Sequence, residues 1–302
     1  ENWADAAADA DKAMAGYTPY SRMQVSEPAF INAYDQNWMW AIIITPTNMP
    51  DAYPSWPAVL GSFSADSYST GVGCYKSVNR LLFDKIPPTD VRKGWWVDEN
   101  LHSPNLTNVT WGDVTGDAVA ALSITDTKLP FIPYTNVKFG QYGFIGNNIN
   151  AGDWCLMRVE EMILIKAEAT AMAGDLPAGK NILNDFVSTY RDPAYTTSTA
   201  ASAQAFQDEV WLQRRIELWG EGFSMSDIMR LEKNIVRFKE GVTSNFPDVF
   251  KFNIAANDGY LLMRIPKKET DKNSGIPLSA NNNEGTQPQP GAGTGLKDGI
   301  TD

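Results

Sequence analysis

Apolar residues recur every three or four positions in several stretches of this chain, which predicts amphipathic helices there. The first stretch covers residues 2–16, where apolar side chains occupy one face and Asp and Lys side chains the other. A second covers residues 153–174, with Asp153 as the candidate N-cap and Gly174 as the stop signal. Its apolar positions form two stripes, so we expect this helix to be packed on two sides.

The next two stretches continue the helical pattern. Pro177 falls in the first turn of a predicted helix that ends before Asp192 and Pro193. Residues 202–238 then repeat a helix–turn–helix plan over about 37 residues, a length close to that of tetratricopeptide repeats. The consensus residues of those repeats are largely absent, so the similarity is one of architecture. The pattern predicts antiparallel helix pairs stacked on one another.

The second helix–turn–helix plan turns at a corner bracketed by Gly220 and Gly222. Charged residues of both signs surround this corner: Arg214, Arg215, Glu217, Glu221, Asp227 and Arg230. Because opposite charges this close in sequence lie around one turn, we predict that Arg214 or Arg215 pairs with a carboxylate of the corner. Glu217 and Glu221 are the candidates. Such an ion-pair cluster stabilises a scaffold and carries no chemistry of its own.

Residues 28–150 lack this helical period and form a loop-rich insertion. They are rich in Gly, Pro, Ser, Thr, Asn and aromatic residues. Short strands are predicted at Met39–Thr45, as a buried strand, and at Asn136–Phe139. Six of the ten tryptophans fall in the insertion: Trp38, Trp40, Trp56, Trp95, Trp96 and Trp111. A loop region of this length within a compact domain is typical of a functional segment.

Composition narrows the class of protein. The 302 residues are 43% apolar, which is enough for a sizeable core. The net charge of -11 argues against a nucleic-acid partner and against an anionic membrane surface, and it is compatible with a neutral ligand such as a sugar. No run of about 20 apolar residues is present, so the sequence predicts no membrane-spanning helix. Because no leader or lipidation cysteine stands near Glu1, we expect the chain to begin within a longer protein.

Three segments carry a family resemblance. Residues 214–230 resemble the pattern R-R-x-E-L-x-x-E-G followed by D-hydrophobic-x-R. Residues 158–169 resemble the helix R-x-E-E/A-x-x-L-I-x-A-E-A, and residues 262–273 resemble a late I-P-x-x-E segment. In this order and spacing, the three patterns are signatures of the SusD/RagB family. Together they cover residues 158–273, whereas the first half of the chain is similar in style alone.

The resemblance implies a mostly α fold of tetratricopeptide-like stacked helix pairs (SusD-like) with a loop-rich insertion that contains short β-strands. It also implies that the chain is the C-terminal portion of one such domain. On this interpretation, residues 1–27 hold a helix of a truncated repeat and residues 28–150 the ligand-binding insertion. Residues 151–240 hold the helix pairs, and residues 241–302 a closing segment and tail. A missing front part would carry a signal and a lipid-anchored cysteine.

Members of this family are surface lipoproteins that capture nutrients, so the resemblance implies a binding function and no enzyme activity. We expect non-catalytic binding of a glycan, an oligosaccharide or polysaccharide, at the outer cell surface. The ligand would be delivered to a SusC-type TonB-dependent outer-membrane transporter. No cofactor is expected. Alternatives are peptide uptake, as in RagB-like relatives, a glycoside hydrolase that uses two loop carboxylates, and a helical adaptor docked on a protein.

Five aromatic residues of the insertion are the predicted ligand-binding residues: Tyr53, Trp56, Tyr68, Trp95 and Trp96. Aromatic faces stack on the C–H patches of sugars, while polar neighbours bond the hydroxyls. Tyr53 and Trp56 lie on a stretch stiffened by two prolines, which lowers the ordering cost of binding. On an extended segment the neighbouring rings of Trp95 and Trp96 point to opposite sides, so at most one of them faces a ligand.

Metal and disulfide chemistry is weakly indicated. Cys74 and Cys155 form no zinc motif and are left open as a disulfide or as two buried thiols. The segment from Asp113 to Asp117 lacks the closing glutamate of a calcium loop. We therefore expect no metal site.

Nucleophilic chemistry is weakly indicated as well. His102 is the sole histidine of the chain, and its sequence neighbour Ser103 is poorly placed to form a nucleophile–base pair with it. Residues 71–77 lack the glycine before the lysine that a phosphate-binding loop needs. Many carboxylates are available in the insertion, but no spacing singles out a pair for general acid–base work.

Overall fold

The computed structural model describes residues 2–45, 47–48, 60–63, 76–122, 130–146, 152–277, 279 and 286–302. The chain divides into two compact units, Glu1–Gly222 and Phe223–Asp302. Each unit has an apolar core of its own. Within the described ranges, no helix has the length and apolar character needed to cross a lipid bilayer.

The elements are named in chain order over the described residues. The helices are α1 (Trp3–Ala13), α2 (Arg80–Phe83), α3 (Ala118–Ala121), α4 (Val159–Met172), α5 (Leu176–Tyr190), α6 (Ala203–Glu217), α7 (Ser224–Arg230) and α8 (Lys267–Lys272). The strands are β1 (Trp38–Ile42), β2 (Thr110–Trp111), β3 (Val114–Thr115) and β4 (Trp154–Arg158). Short 3₁₀ turns lie at Val91–Trp95, Pro104–Leu106, Asp248–Phe250 and Gly259–Leu261.

Side-chain caps mark the beginning of two long helices. The Asp175 carboxylate accepts the Ala178 N–H at 3.0 Å at the start of α5, and Pro177 lies in the first turn of that helix. The Ser202 hydroxyl accepts the Ala205 N–H at 3.2 Å at the start of α6. Side-chain caps of this kind satisfy N–H groups that have no partner inside the helix. The helices predicted from periodicity and caps are therefore confirmed for α1, α5 and α6.

Helix α4 lies at the centre of the helical part of the first unit. It packs against α1, α5 and α6, which confirms the prediction that this helix is packed on two sides. The shared core is formed by Leu164, Ala167, Ala171, Leu183, Phe186, Val187, Phe206 and Val210. Gly179 of α5 lies directly on α4, where a Cβ atom would come within 2.8 Å of the Ala167 carbonyl oxygen and of Ala171 Cβ. A larger residue at this position would push the two helices apart.

The residues just before α4 form a strand, whereas the sequence pattern predicts one helix over residues 153–174. Strand β4 pairs antiparallel with β1, from a distant part of the chain. Its apolar residues suit a strand as well as a helix, and the pairing with β1 decides between them. The end of α4 agrees with the prediction, since Gly174 follows it with a φ of +112°.

The insertion packs around two apolar clusters of the first unit. Large members of the first cluster are Phe30, Trp38, Trp95, Trp96, Tyr134 and Phe139. Large members of the second are Phe63, Leu106, Trp111 and Phe131. Residues 136–139, predicted as a strand, form isolated bridges instead, in which Asn136 pairs with Trp96 and Phe139 with Ala29. Extended backbone is therefore present there without a continuous strand.

Over its described residues, the second unit is built from turns, two short helices, two 3₁₀ turns and two isolated bridges. Ile235 and Ile254 exchange backbone hydrogen bonds of 2.8 and 3.0 Å, and Ile254 belongs to the core of this unit. The Asn253 side-chain amide donates to the Gly293 carbonyl at 2.9 Å, and the Asn253 N–H donates to the Ala292 carbonyl at 3.0 Å. These two contacts hold part of the Asn/Gly/Pro-rich tail on the surface of the unit.

Candidate ligand-binding surface

Two of the five predicted ligand-binding rings lie in the described part of the chain, and both are buried. Trp95 exposes 0% of its surface and Trp96 exposes 1%. The Trp95 indole N–H donates to the Val25 carbonyl at 2.9 Å. The Trp96 ring meets the Trp219 ring edge-on, with centroids 5.6 Å apart. Stacking on a sugar requires an open ring face, so neither side chain meets the requirement of the prediction, and both are core residues.

The burial of this pair follows from a segment that runs beside it. The Val137 N–H donates to the Trp95 carbonyl at 2.8 Å, and the Val97 N–H donates to the Thr135 carbonyl at 3.0 Å. The sequence around Trp95 and Trp96 does not predict that a distant segment covers them. The other three predicted rings, Tyr53, Trp56 and Tyr68, lie outside the described residues and stay predictions.

An exposed apolar surface lies on the sheet formed by β1 and β4. Trp40 exposes 63% of its surface, and Ile42, two positions further along β1, is exposed as well. Ile42 pairs with the half-buried Trp154 of β4. Leu156, two positions along β4, is also exposed. Trp40, Ile42, Trp154 and Leu156, all exposed or half-buried, are called the strand face below. The pairing of the two strands is irregular at Trp40, so its exposure and not a strict alternation groups it with the other three.

The opposite side of the same two strands belongs to the core. Ala41 and Cys155 pair across the sheet and pack against the first apolar cluster. Cys155 carries a free thiol whose pKa is raised, mainly by burial, and Cys74 lies outside the described residues. The strand predicted over Met39–Thr45 is therefore present, but the prediction that it is buried is wrong for the side that carries Trp40. Every residue of β1 is apolar, so no alternation in the sequence marks the exposed side.

The Asp153 carboxylate ties three segments together at the start of β4. It is fully buried and accepts the backbone N–H groups of Ala33 and Ile44, each at 2.8 Å. It also accepts the Tyr142 hydroxyl, and the Asp153 N–H donates to the Ile31 carbonyl at 3.0 Å. Hydrogen bonds to an ionised acceptor are stronger than those between neutral groups. The residue predicted as a helix cap is thus a junction that fixes the frame beside the strand face.

Exposed aromatic residues lie close in sequence to residues of this junction. Tyr34, next to Ala33 in sequence, exposes 84% of its surface, and Phe144, two positions after Tyr142, is also exposed. Burial raises the pKa of Tyr142, and the hydrogen bond to Asp153 and the carboxylates of Asp153 and Asp35 raise it further. Tyr142 therefore stays protonated and donates to Asp153 at neutral pH.

The strand face offers an exposed indole on paired strands, and Tyr34 and Phe144 are exposed on segments close to the Asp153 junction. An indole, phenol and phenyl ring can cover the C–H patches of a sugar, while the Tyr34 hydroxyl and nearby backbone groups can bond its hydroxyls. Sequence reasoning placed the ligand on other rings of the insertion and missed this surface. The available signal is Asp153 directly before an apolar run, a position that also suits the helix cap predicted there.

A second polar feature of the first unit is structural. The buried ion cluster consists of Asp90, Arg92, Lys138, Arg158, Glu160, Arg191, Glu217 and Glu221, all nearly inaccessible to solvent. Glu217 is at its centre, with its carboxylate 3.2 Å from Arg92 Nη1, 2.8 Å from Arg158 Nη1 and 2.8 Å from Arg191 Nε. Burial alone would raise the pKa of Glu217, but the charges of Arg191 and Arg158 hold it well below its usual range.

The ion cluster also defines the pairing at the glycine corner. Glu221 pairs with Arg158 Nε at 2.7 Å and with Lys138 Nζ at 2.6 Å. The cations that the structure gives to the two corner carboxylates therefore come from the insertion, from the end of β4 and from the end of α5. The corner is an ion-pair cluster as expected, and the local pairing with Arg214 or Arg215 stays a prediction. Spacing within one segment cannot show partners that are distant in sequence.

The buried amine of Lys138 makes stability depend on pH. Burial lowers its pKa from 10.5 to about 8, against the opposing effect of the Glu221 carboxylate. Between these values the unfolded chain binds more protons, so the free energy of unfolding attributable to Lys138 rises from about pH 8 to about pH 10.5 and is lowest below pH 8. We expect Lys138→Met to flatten this rise in urea unfolding at a series of pH values. Lys12→Met, which replaces an exposed lysine, is the control and should keep the wild-type dependence of stability on pH. If stability rises equally with pH in the wild type and both variants, the rise does not come from Lys138.

Comparison with known proteins decides the family. The sequence model of the SusD family matches residues 107–288, more than half of the chain. The chain belongs to the SusD family. This confirms the resemblance carried by the three sequence segments. No curated protein matches the sequence.

Solved SusD-like structures share the fold. A SusD-like carbohydrate binding protein from Bacteroides vulgatus is 25% identical, with a TM-score of 0.61 over 89% of this chain and 54% of its own. A SusD superfamily protein from Bacteroides thetaiotaomicron is 20% identical, with a TM-score of 0.56 over 92% and 55% of the two chains. One from Parabacteroides distasonis is 16% identical, with a TM-score of 0.57 over 89% and 55%. This SusD-family chain spans about half the length of these proteins, and its predicted mostly α fold is confirmed.

The candidate nucleophile and base of this SusD-family chain, Ser103 and His102, form hydrogen bonds within its loops. A hydrogen bond to the Asp117 carboxylate raises the pKa of His102, whose ring is exposed. The Ser103 hydroxyl is buried and donates to the Gly94 carbonyl at 2.6 Å. The two side chains therefore have different partners and form no nucleophile–base pair with each other, as the sequence predicts. Among the described residues, no group of three or more His, Cys, Asp or Glu side chains is arranged to hold a metal ion.

Proposed function

We propose that this chain supplies part of the binding surface of a non-catalytic nutrient-binding protein whose ligand is an oligosaccharide or polysaccharide. The observation that carries the proposal is the exposed indole of Trp40 on the strand face. Membership of the SusD family and the likeness to a carbohydrate binding protein support the class of ligand. The predicted rings of Tyr53, Trp56 and Tyr68 would extend the same function.

The physical argument rests on exposure and rigidity. Contiguous exposed apolar surface with a polar surround is typical of interaction sites, because a side chain such as Trp40 gains free energy when a ligand removes its surface from water. The strands are paired and Asp153 fixes three segments beside them, so little order must be imposed when a ligand binds. A neutral sugar also avoids the desolvation of charge at a surface that carries none.

Binding without catalysis is supported by how the carboxylates are used. A glycosidase needs one carboxyl that gives up a proton and a second that attacks or activates water. The carboxylates of the buried ion cluster are paired with arginine or lysine, and the Asp153 oxygens accept three hydrogen bonds. These groups are committed to the fold. The hydrolase alternative would have to use exposed carboxylates of the insertion.

The proposal includes the setting that the family implies. The whole protein would be held at the outer cell surface by a lipid anchor and would pass its ligand to a SusC-type TonB-dependent outer-membrane transporter. Since this chain spans about half the length of the related structures, the remainder of the protein would complete the binding site and the contact with the transporter. Co-purification of the full-length protein with its transporter partner from outer membranes would test this part.

Replacing Trp40 tests the ligand-binding surface directly. We expect Trp40→Ala to weaken binding of the best ligand in a glycan panel by about tenfold, which corresponds to about 1.4 kcal/mol of lost contact. Calorimetry measures the affinity, and Ile132→Ala, which truncates another exposed apolar side chain, is the matched control. If the wild type, Trp40→Ala and Ile132→Ala bind the glycan with equal affinity, the strand face is not part of the binding site. Binding of peptides but no glycan would favour the peptide-uptake alternative, and new reducing ends during incubation would favour a hydrolase.

A further inference from the structure

A cleft lies in the first unit, and none of its lining residues belongs to β1 or β4. This cleft has a volume of about 530 Å³ and is formed by Lys85, Pro87, the segment 89–90, the loop 192–199 and one side of α6. Hydroxyl side chains dominate the loop: Tyr195, Thr196, Thr197, Ser198 and Thr199. Leu212 and Ile216 of α6 add apolar side chains to the lining. A cleft of this size with apolar walls and several polar groups has the design of a small-ligand site.

Gln213 supplies an oriented hydrogen-bond donor. Its side chain exposes 7% of its surface and lines the cleft. The Oε1 atom accepts Arg92 Nη2 at 2.6 Å, and Arg92 is itself held by Asp90. This contact fixes which end of the amide is oxygen and which is nitrogen. Within the described part of the chain, the Gln213 NH₂ group donates to no acceptor, so it is available to a ligand.

Asp192 supplies a matching acceptor. It exposes 3% of its surface and lines the same cleft. One carboxylate oxygen accepts the Ala194 N–H at 2.9 Å. The other oxygen accepts no hydrogen bond from the residues that the structure describes, and Asp192 forms no ion pair with them. A buried carboxylate oxygen left open in this way is suited to the hydroxyl of a ligand.

The loop that carries these hydroxyls is held in place by Glu209. Its carboxylate accepts the Tyr195 and Ser198 hydroxyls, so both of its oxygens are occupied. Burial, together with the hydrogen bond to Glu209, raises the pKa of Tyr195, which therefore remains a neutral phenol and an apolar wall of the cleft. The site is thus formed before a ligand arrives, which lowers the cost of binding.

We propose that this cleft binds a neutral sugar unit. One sugar hydroxyl accepts from the Gln213 amide, and another donates to the open oxygen of Asp192. Asp90 is neutralised by Arg92 at 2.6 Å, and the acidic side chains of Asp192 and Glu209 outnumber the one basic lining side chain, Lys85, which disfavours uronic acids and sulfated sugars. The inference rests on the proposed function for its class of ligand and adds a binding site separate from the strand face.

The test uses the full chain, neutral mono- and disaccharides, and the corresponding uronic acids, with affinities from calorimetry. Asp192→Asn keeps the oxygen for the Ala194 N–H and replaces the open oxygen by a donor, so we expect about tenfold weaker binding. Thr197→Trp, at an exposed position of the cleft, should block binding without a change in the core. The uronic acids should bind at least about tenfold more weakly than the neutral sugars. Unchanged thermal unfolding shows that each variant is folded.

Trp40→Ala separates the two sites. If sugar binding falls with Asp192→Asn and Thr197→Trp and persists in Trp40→Ala, the cleft is a sugar site. If binding falls with Trp40→Ala alone, the cleft inference is overturned while the proposed function stands. If the wild-type chain binds uronic acids as tightly as neutral sugars, the assignment of ligand class is wrong. If it binds no sugar at all, both this inference and the proposed function fail.

Discussion

Glu217→Gln is expected to lower the stability of the first unit by about 3–5 kcal/mol, because removal of one buried charge leaves arginines uncompensated in the interior. Glu217 faces Arg92, Arg158 and Arg191 at distances of 3.2 Å or less and is inaccessible to solvent. Glutamine keeps the shape and an acceptor oxygen but not the charge. For a unit of this size, the loss corresponds to a fall in the unfolding temperature of about 10 °C.

Calorimetric or circular-dichroism melting measures this effect, and Glu99→Gln is the control. Glu99 lies 3.5 Å from Arg80 in an exposed ion pair, for which we expect a change below about 1 kcal/mol. In a unit of this size, each kcal/mol of lost stability lowers the unfolding temperature by about 2–4 °C. A Glu217→Gln chain that melts within about 2 °C of the control would therefore show that the ion cluster does not stabilise the fold.

Asp153→Ala should be nearly as damaging and should also abolish binding at the strand face. The substitution leaves the N–H groups of Ala33 and Ile44 and the Tyr142 hydroxyl without their buried acceptor. Each unsatisfied group costs about 1–3 kcal/mol, and partial access of water to the collapsed site brings the expected total to about 3–5 kcal/mol. Segments that carry Tyr34 and precede β4 would lose their fixed geometry, so glycan affinity should fall with stability.

Tyr142→Phe separates the two consequences of losing Asp153. This variant removes one of the three hydrogen bonds and should cost about 1 kcal/mol while the backbone contacts of Asp153 remain. Urea unfolding measures stability, and calorimetry with the best glycan measures binding. A stable Asp153→Ala chain with unchanged affinity would contradict the role of Asp153 as the junction of this surface.

Helices with strong periodicity and capping residues were predictable from the sequence. Helix α1 is observed at Trp3–Ala13 within the predicted residues 2–16, Pro177 lies in the first turn of α5 as predicted, and α6 begins at Ala203, next to the predicted start at residue 202. In these segments the local signal and the tertiary packing agree. The three motif segments likewise indicated the family that the comparison establishes.

Features that depend on contacts between distant segments were not predictable. Strand β4 forms because β1 pairs with it, and an apolar run such as residues 154–157 does not distinguish strand from helix. Trp95 and Trp96 are buried by a segment some 40 residues later in the chain, so composition alone suggested exposed rings. The cations around Glu217 were missed for the same reason.

The candidate surface illustrates the limit for function. An all-apolar strand gives no period-2 signal, so the exposure of Trp40 had to come from the structure. The cleft residue Gln213 carries no motif, and its orientation follows from Arg92, which lies far away in sequence. The role of Gln213 therefore becomes apparent once its contact with Arg92 is known.

The buried ion cluster also limits how the recognition loops of this fold can be exchanged. Two of its cations, Arg92 and Lys138, belong to the insertion, while Glu217 and Glu221 belong to the helical frame. A transplant that omits those cations would leave acceptor sites on the frame with excess negative charge and no solvent to screen it. Grafted loops must therefore contain cations that pair with Glu217 and Glu221. Residues that change the ligand specificity can be substituted at outward-facing positions of the loops.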